Sequence, residues 1–271
     1  MPLLNDKLDV SRDLAAHLQD PEFNDVKIEA ADGEVSANKT ILSVRSQYFR
    51  SMFSAQNNFV ESSTGRVKLP YPMAVMEKVV LYLYSGEMDC DDMRLRSLLD
   101  ILELLNLMNL PSQFFIVETF TQRNITEGNY PLVDCLESLD DSVKMGLQSV
   151  GETLLSHLRK NFAQISELAE VGDLSEAMIT RLLQEEKEVK TYTISKLKTF
   201  VTWLSVNSMN DQKKNEILQS FDFEHFTHRE LASDVRKSGL YDIDKIMGRM
   251  QHLFETKDRN KRLPRMKFED L

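Results

Sequence analysis

The stretch from Asn24 to Glu61 limits the fold most tightly, because it asks for a strand pair running straight into a helix. Asp25-Val26-Lys27-Ile28-Glu29 alternates apolar and charged side chains, the period-two pattern of a half-buried strand. Asp32-Gly33 predicts a two-residue hairpin turn with positive φ, and Glu34-Val35 is the short return strand. Ser36 is placed to cap a helix in which Ile41, Val44, Tyr48 and Phe49 recur at helical spacing. Ser54 to Gly65 is polar and turn-rich, and Arg66-Val67-Lys68-Leu69 alternates again as a third strand.

This order, with Asp25-Val26, Ala37-Asn38-Lys39 and Ser46-Gln47-Tyr48-Phe49-Arg50-Ser51-Met52-Phe53, resembles the BTB (POZ) domain. Asn38 stands where that family usually has His. Tyr82-Leu83-Tyr84-Ser85-Gly86 is similar to a second signature of the family and is independent of the first.

The flanking segments fit around this centre. Residues 6 to 19 form an amphipathic helix with Leu8, Val10, Leu14, Ala15 and Leu18 on its stripe, ended by Gln19-Asp20-Pro21. Pro70-Tyr71-Pro72 stops the third strand and starts a helix from Met73 to Tyr84, closed by Ser85-Gly86. Asp91-Asp92 can cap a Leu-dense helix, apolar nearly all round and therefore buried. Asn109-Leu110-Pro111 breaks it, and a further helix runs from Pro111 to Arg123. Thr126-Glu127-Gly128-Asn129 is the best linker candidate.

From Tyr130 onward only helices are expected: 132–139, 143–161, 163–169, 175–183, 193–206, 211–220, 227–238 and 242–254. No fixed-period repeat points to a solenoid or propeller. This all-helical unit resembles the BACK domain, with Phe200-Val201-Thr202-Trp203-Leu204 similar to one of its helices. Trp203, the single tryptophan, reads as a core anchor. The expected organisation is an α+β BTB/POZ domain at 1–125, an all-α BACK-like domain at 126–256 and a charged tail at 257–271.

Catalytic sets are not evident. His225 and His228 lie three apart beside Asp222 and Glu224, but Phe221, Phe223 and Phe226 interleave and a second ligand pair is missing. No Gly-rich phosphate loop or nucleophile elbow occurs, so no enzyme, cofactor or metal is expected. Cys90 and Cys135 are too few for a disulfide framework and read as reduced thiols. The net charge of −10 argues against general nucleic-acid binding. No run approaches the roughly 20 apolar residues of a membrane span, and the acidic start does not read as a signal peptide. A cytoplasmic or nuclear protein is expected. The terminal Lys257, Arg259, Lys261, Arg262, Arg265 and Lys267 read as a solvated tail, with a localisation signal or anionic contact left open.

The resemblance implies an interaction surface. Phe59-Val60-Glu61 matches the apolar-x-Glu motif by which BTB substrate adaptors engage Cullin-3, with Tyr48, Met52 and Phe53 flanking and Tyr130 to Asp134 as a second contact. Five residues, Ser54 to Asn58, separate Phe53 from Phe59, where familiar adaptors commonly have about three. Asp25 and Lys39 correspond to a charged groove at the BTB dimer interface, and Leu8, Leu14 and Leu18 to the helix that packs on its copy. The implied function is a homodimeric adaptor recruiting a target protein to a Cullin-3 ubiquitin ligase; the alternative is a non-ligase BTB scaffold or assembly factor using the dimer groove. Kelch and MATH target-binding domains are absent, so the target surface is open: the helical unit, the tail, or a part of a longer chain.

Overall fold

The computed structural model describes residues 7–57, 59–184, 193–221 and 225–262, with backbone only for 7, 8 and 254–262. The chain divides into two compact units, one gathering Met1–Tyr130 with Asp141–Thr153 and the other Pro131–Asp140 with Leu154–Leu271.

In the first unit, β1 (Val26–Glu29) lies between β2 (Glu34–Ala37), antiparallel, and β3 (Arg66–Lys68), parallel. The alternation in sequence becomes two faces. Val26, Ile28, Val35, Ala37 and Val67 are buried, while Lys27, Ser36, Arg66 and Lys68 are exposed. On the open face Arg66 bridges Glu29 and Glu34, and Lys27 also pairs with Glu34. Such solvated pairs add little stability individually.

The hairpin departs from the expected turn. Val26 opposes Ala37 and Glu29 opposes Glu34, which leaves residues 30–33 as a four-residue connection. Gly33 does not take positive φ. The space above it is taken, since a Cβ at Gly33 would meet the Met73 sulfur and that flexible side chain would have to shift. Asp32 accepts the Met73 N–H at 2.5 Å, so the turn docks the start of the next long helix.

Ser36 belongs to β2, and Asn38 is the cap, its Oδ1 accepting from the N–H groups of Thr40 and Ile41. The expected central helix is two helices, α2 (Lys39–Arg45) and α3 (Gln47–Phe53). Ser46 separates them: it is extended, buried, and donates its hydroxyl to the Met108 carbonyl at 3.1 Å. Part of the polar loop is also helical, as α4 (Val60–Thr64), closed by Gly65 at φ 65°.

α5 (Met73–Ser85) and α6 (Leu95–Leu107) bury Val75, Met76, Val79, Val80, Leu83, Leu98, Leu99, Ile101, Leu102, Leu104 and Leu105. Burying each such aliphatic side chain is worth about 1.5–3 kcal/mol in transfer terms. Asp91-Asp92 does not cap α6, which follows Arg94 without a side-chain cap; Asp92 instead takes φ 58°. α7 (Pro111–Glu127) runs one turn beyond the expected Arg123, until Gly128 ends it at φ 77°. The N-terminal α1 (Lys7–His17) packs on α5.

Among its described residues the second unit is helical throughout. α8 (Leu132–Lys144) supplies residues to both units, and the break from α9 (Gln148–Lys160) falls at Gly146, φ 73°, rather than at the expected residues 140–142. α10 (Phe162–Ile165) and a 3-10 turn at Ala169–Asp173 lead to α11 (Glu176–Leu183), capped by Ser175. α12 (Thr193–Val206) and α13 (Asp211–Ser220) have the expected bounds. α14 (His228–Glu230), a π turn at Leu231–Val235 and α15 (Arg236–Ser238) form one interrupted segment before α16 (Ile243–Arg262). Trp203 is 2% exposed, donates to the Leu174 carbonyl at 2.8 Å and stacks beside Phe200. No helix among the described residues is long and apolar enough to cross a membrane.

Candidate functional site

The segment from α3 to β3 is built from the sheet outward. Gly65 closes α4, its N–H donating to the Glu61 carbonyl, and its own carbonyl accepts the Lys27 N–H of β1 at 2.8 Å. A Cβ at Gly65 would lie 2.9 Å from the Asp25 carbonyl oxygen. Positive φ and close approach thus both demand glycine at this joint. The short helix is anchored at its end, leaving its start to project.

What projects is apolar. Phe59 is 49% and Val60 69% exposed, at the head of α4, with the partly buried Glu61 following in its first turn. The carboxylate is complementary to the helix N-terminus. Behind them Phe53 stacks on the buried Phe49 at 5.8 Å, and Tyr48 meets Phe49 edge-on at 5.2 Å. Tyr48, Met52 and Phe53 are all partly buried. Burial first, and the Glu61 charge second, raise the Tyr48 phenol above its ordinary range. The segment after α3 is tied back to it: Asn57 donates to the Ser51 carbonyl at 2.8 Å, and Ser62 to the Phe53 carbonyl at 3.3 Å.

The structure therefore brings Tyr48, Phe53 and Glu61 into one neighbourhood. It adds Val60, which the apolar-x-Glu pattern treated as a spacer. An apolar pair standing alone inside a polar run was the available signal.

Asp25 and Lys39 also meet, but through the backbone. The Asp25 carboxylate accepts the Lys39 N–H at 2.7 Å. The Lys39 ammonium donates to the Ser62 carbonyl at 3.0 Å and lies 5.6 Å from the centre of the Phe53 ring. Of the α1 residues, Leu14 and Leu18 are partly buried; the side chain of Leu8 lies outside the described residues. Leu18 lines an open cleft of about 710 Å³ with Val35 and the 41% exposed Leu81. Tyr130, Leu132, Val133 and Asp134 are partly buried.

The histidines expected to be poor metal ligands flank the start of α14, with Phe221 and Phe226 buried beside them; Asp222, Phe223 and Glu224 lie outside the described residues. Among the described residues no group of three or more His, Cys, Asp or Glu is placed to hold a metal ion. The tail side chains from Lys257 to Lys267 lie outside the described residues.

Residues 14–120 match the profile of the BTB/POZ domain. BTB/POZ domain-containing protein 9 of Drosophila melanogaster is 21% identical over 240 residues, covering 88% of this chain and 31% of its own length. Kelch-like protein 41 of Homo sapiens is 21% identical over 225 residues, covering 82% and 36% respectively. Rho-related BTB domain-containing protein 2 of Mus musculus is 34% identical over 117 residues, covering 41% and 15%. The chain thus spans 36% or less of the length of each of these relatives.

Proposed function

We propose that this chain, which carries a BTB/POZ domain at residues 14–120, is a homodimeric adaptor that brings a target protein to a Cullin-3 type ubiquitin ligase. The observation that carries this reading is the projecting Phe59-Val60-Glu61 turn, apolar side chains and a carboxylate fixed to the sheet through Gly65. Exposed apolar side chains on an anchored turn desolvate into a partner groove at low entropic cost, and the carboxylate sets register. The adaptor itself breaks no bonds. It acts by effective concentration, turning a bimolecular transfer into a nearly intramolecular one.

Within this proposal the BTB domain takes 1–125, a BACK-like helical domain 126–256, and the tail 257–271. The helical character of the second unit and its buried Trp203 support the BACK-like assignment. Leu8, Leu14, Leu18, Asp25 and Lys39 contribute to the dimer interface, the site is cytoplasmic or nuclear, and neither nucleic acid nor membrane is a partner.

The test is a binding titration of the chain against the N-terminal domain of Cullin-3, with Phe59→Ala and Glu61→Lys in parallel. Binding by the parent that weakens at least about tenfold in both variants is the expected result. No binding by a folded dimeric parent would overturn the ligase reading in favour of a scaffold that uses the groove near Asp25.

A further inference from the structure

We infer that Lys39 is a positioning residue that clamps α4 and thereby sets the presentation of Phe59, Val60 and Glu61, without itself touching the cullin. The inference rests on the adaptor reading for its consequence, but its structural content is independent of it.

Two contacts converge on this one side chain, and its position fixes a third relationship. Its ammonium donates to the Ser62 carbonyl at 3.0 Å. It lies over the Phe53 ring at 5.6 Å from the centroid. It also stands 3.7 Å from where a Gly65 Cβ would be, so it occupies the joint between α4 and β3. Ser62 closes the circuit by donating its hydroxyl to the Phe53 carbonyl at 3.3 Å.

The chemistry of the joint favours a cation. α4 has only five residues, too short to hold itself together in water. Its C-terminal carbonyls concentrate partial negative charge, which an ammonium stabilises. The ring face of Phe53 supplies a second attraction for the same charge. Meanwhile the stem of Lys39 is fixed at its root, because Asp25 holds the Lys39 N–H at 2.7 Å. Asp25 therefore acts one step back: it orients the residue that holds the turn.

The test uses Lys39→Met, which keeps the stem and removes the charge, and Lys39→Arg, which restores a cation able to reach a carbonyl and a ring. Hydrogen exchange on the free protein reads the clamp directly. In Lys39→Met the Ser62 and Gly65 amides are expected to exchange about tenfold faster while amides in α6 are unchanged, with Lys39→Arg returning toward the parent. Cullin-3 affinity is expected to follow the same order, falling about tenfold in Lys39→Met and recovering in Lys39→Arg. Parent-like exchange in Lys39→Met overturns the clamp. Faster exchange with unaltered affinity overturns its positioning role. If the parent does not bind Cullin-3, the adaptor reading falls, and the exchange result still decides whether Lys39 holds α4. Should Lys39→Met not fold, Ser62→Ala serves instead: it keeps the backbone carbonyl, the Ser62 N–H and Lys39 but removes the hydroxyl return to Phe53, and parent-like exchange at Gly65 would again overturn the circuit.

Discussion

The phenolic oxygen of Tyr84 accepts the backbone N–H of Asn38 at 2.6 Å, joining the end of α5 to the start of α2. The same asparagine caps α2 through its Oδ1 and donates its Nδ2 to the Phe23 carbonyl at 2.7 Å. One short side chain and its own amide thus hold three separate segments together.

Tyr84 and Asn38 are expected to act as a unit. Tyr84→Phe leaves a part-buried N–H without its acceptor and is expected to cost about 1–2 kcal/mol. Asn38→Ala removes the cap at a similar cost of about 1–2 kcal/mol. Because loss of the cap loosens the amide that Tyr84 binds, the double variant should lose less than the sum. Urea unfolding of the four proteins checks this, and strict additivity would show the two contacts to be independent.

Trp203 offers a local report on the second unit. Its indole is 2% exposed and hydrogen-bonded to the Leu174 carbonyl at 2.8 Å. Trp203→Phe deletes that donor and leaves a void, with an expected cost of about 2–4 kcal/mol. As the single tryptophan, it should fluoresce at short wavelength in the native protein and shift red only when this unit opens. A native emission already at the solvent-exposed position would contradict the burial.

Local pattern carried much of the fold. Strand alternation at Val26 and Ile28, the apolar girth of α6, and the bounds of α12 and α13 follow from side chains that neighbour one another in sequence. The departures share a different cause, a partner remote in the chain. Ser46 breaks the central helix because its hydroxyl finds Met108, 62 residues on. Gly33 has the Met73 side chain packed over it and does not take positive φ. At the candidate site Phe59 and Glu61 were legible as a motif, whereas α4 was not: five residues rich in Ser and Thr carry no helical periodicity, and their contacts run to Gly65, Lys39 and Phe53, two of them remote in sequence or outside the segment.

Asp100 makes stability depend on pH in a defined direction. It is 3% exposed in α6, and burial raises its carboxyl above the ordinary 3.8, against the opposing pull of Arg96 at 3.2 Å; Glu103 and Asp141 add to the rise. Between 3.8 and the raised value the folded chain keeps a proton that the unfolded chain has lost. This contribution therefore grows as pH falls through that window and is lost as pH rises above the folded pKa. Asp100→Asn is expected to compare more favourably with the parent at pH 7 than at pH 4, measured by urea midpoints. The reverse ordering would mean that pairing with Arg96 outweighs desolvation.

The two thiols should separate by reactivity. Cys135 is 0% exposed, and burial first, with Asp134 second, pushes its thiol up to about 12. Cys90 is only partly buried, lining a cleft of about 490 Å³ with Ile116, Val117 and Phe120; burial raises its thiol, though Lys78 pulls the other way. Since the thiolate is the reactive form, a disulfide reagent at pH 8 should modify Cys90 slowly and Cys135 only after denaturation. Fast labelling of Cys135 in the native protein would contradict its burial.

Val60 is the sharpest test of what α4 presents. It is the more exposed member of the apolar pair, 69% against 49% for Phe59, and none of its side chain is needed to anchor the helix. Its carbonyl, by contrast, accepts the Ser63 and Thr64 hydroxyls, an interaction that substitution leaves intact. Val60→Asp should therefore change stability by no more than about 0.5 kcal/mol. Under the proposed adaptor function, Cullin-3 affinity should nevertheless fall about tenfold, because a charge would then enter the proposed desolvated contact beside Glu61. The discriminating comparison is with Val44→Asp, at a 78% exposed site on α2 outside the proposed surface. Equal affinities for the two variants would show that exposure of an apolar side chain alone does not mark the contact, and would remove Val60 from it.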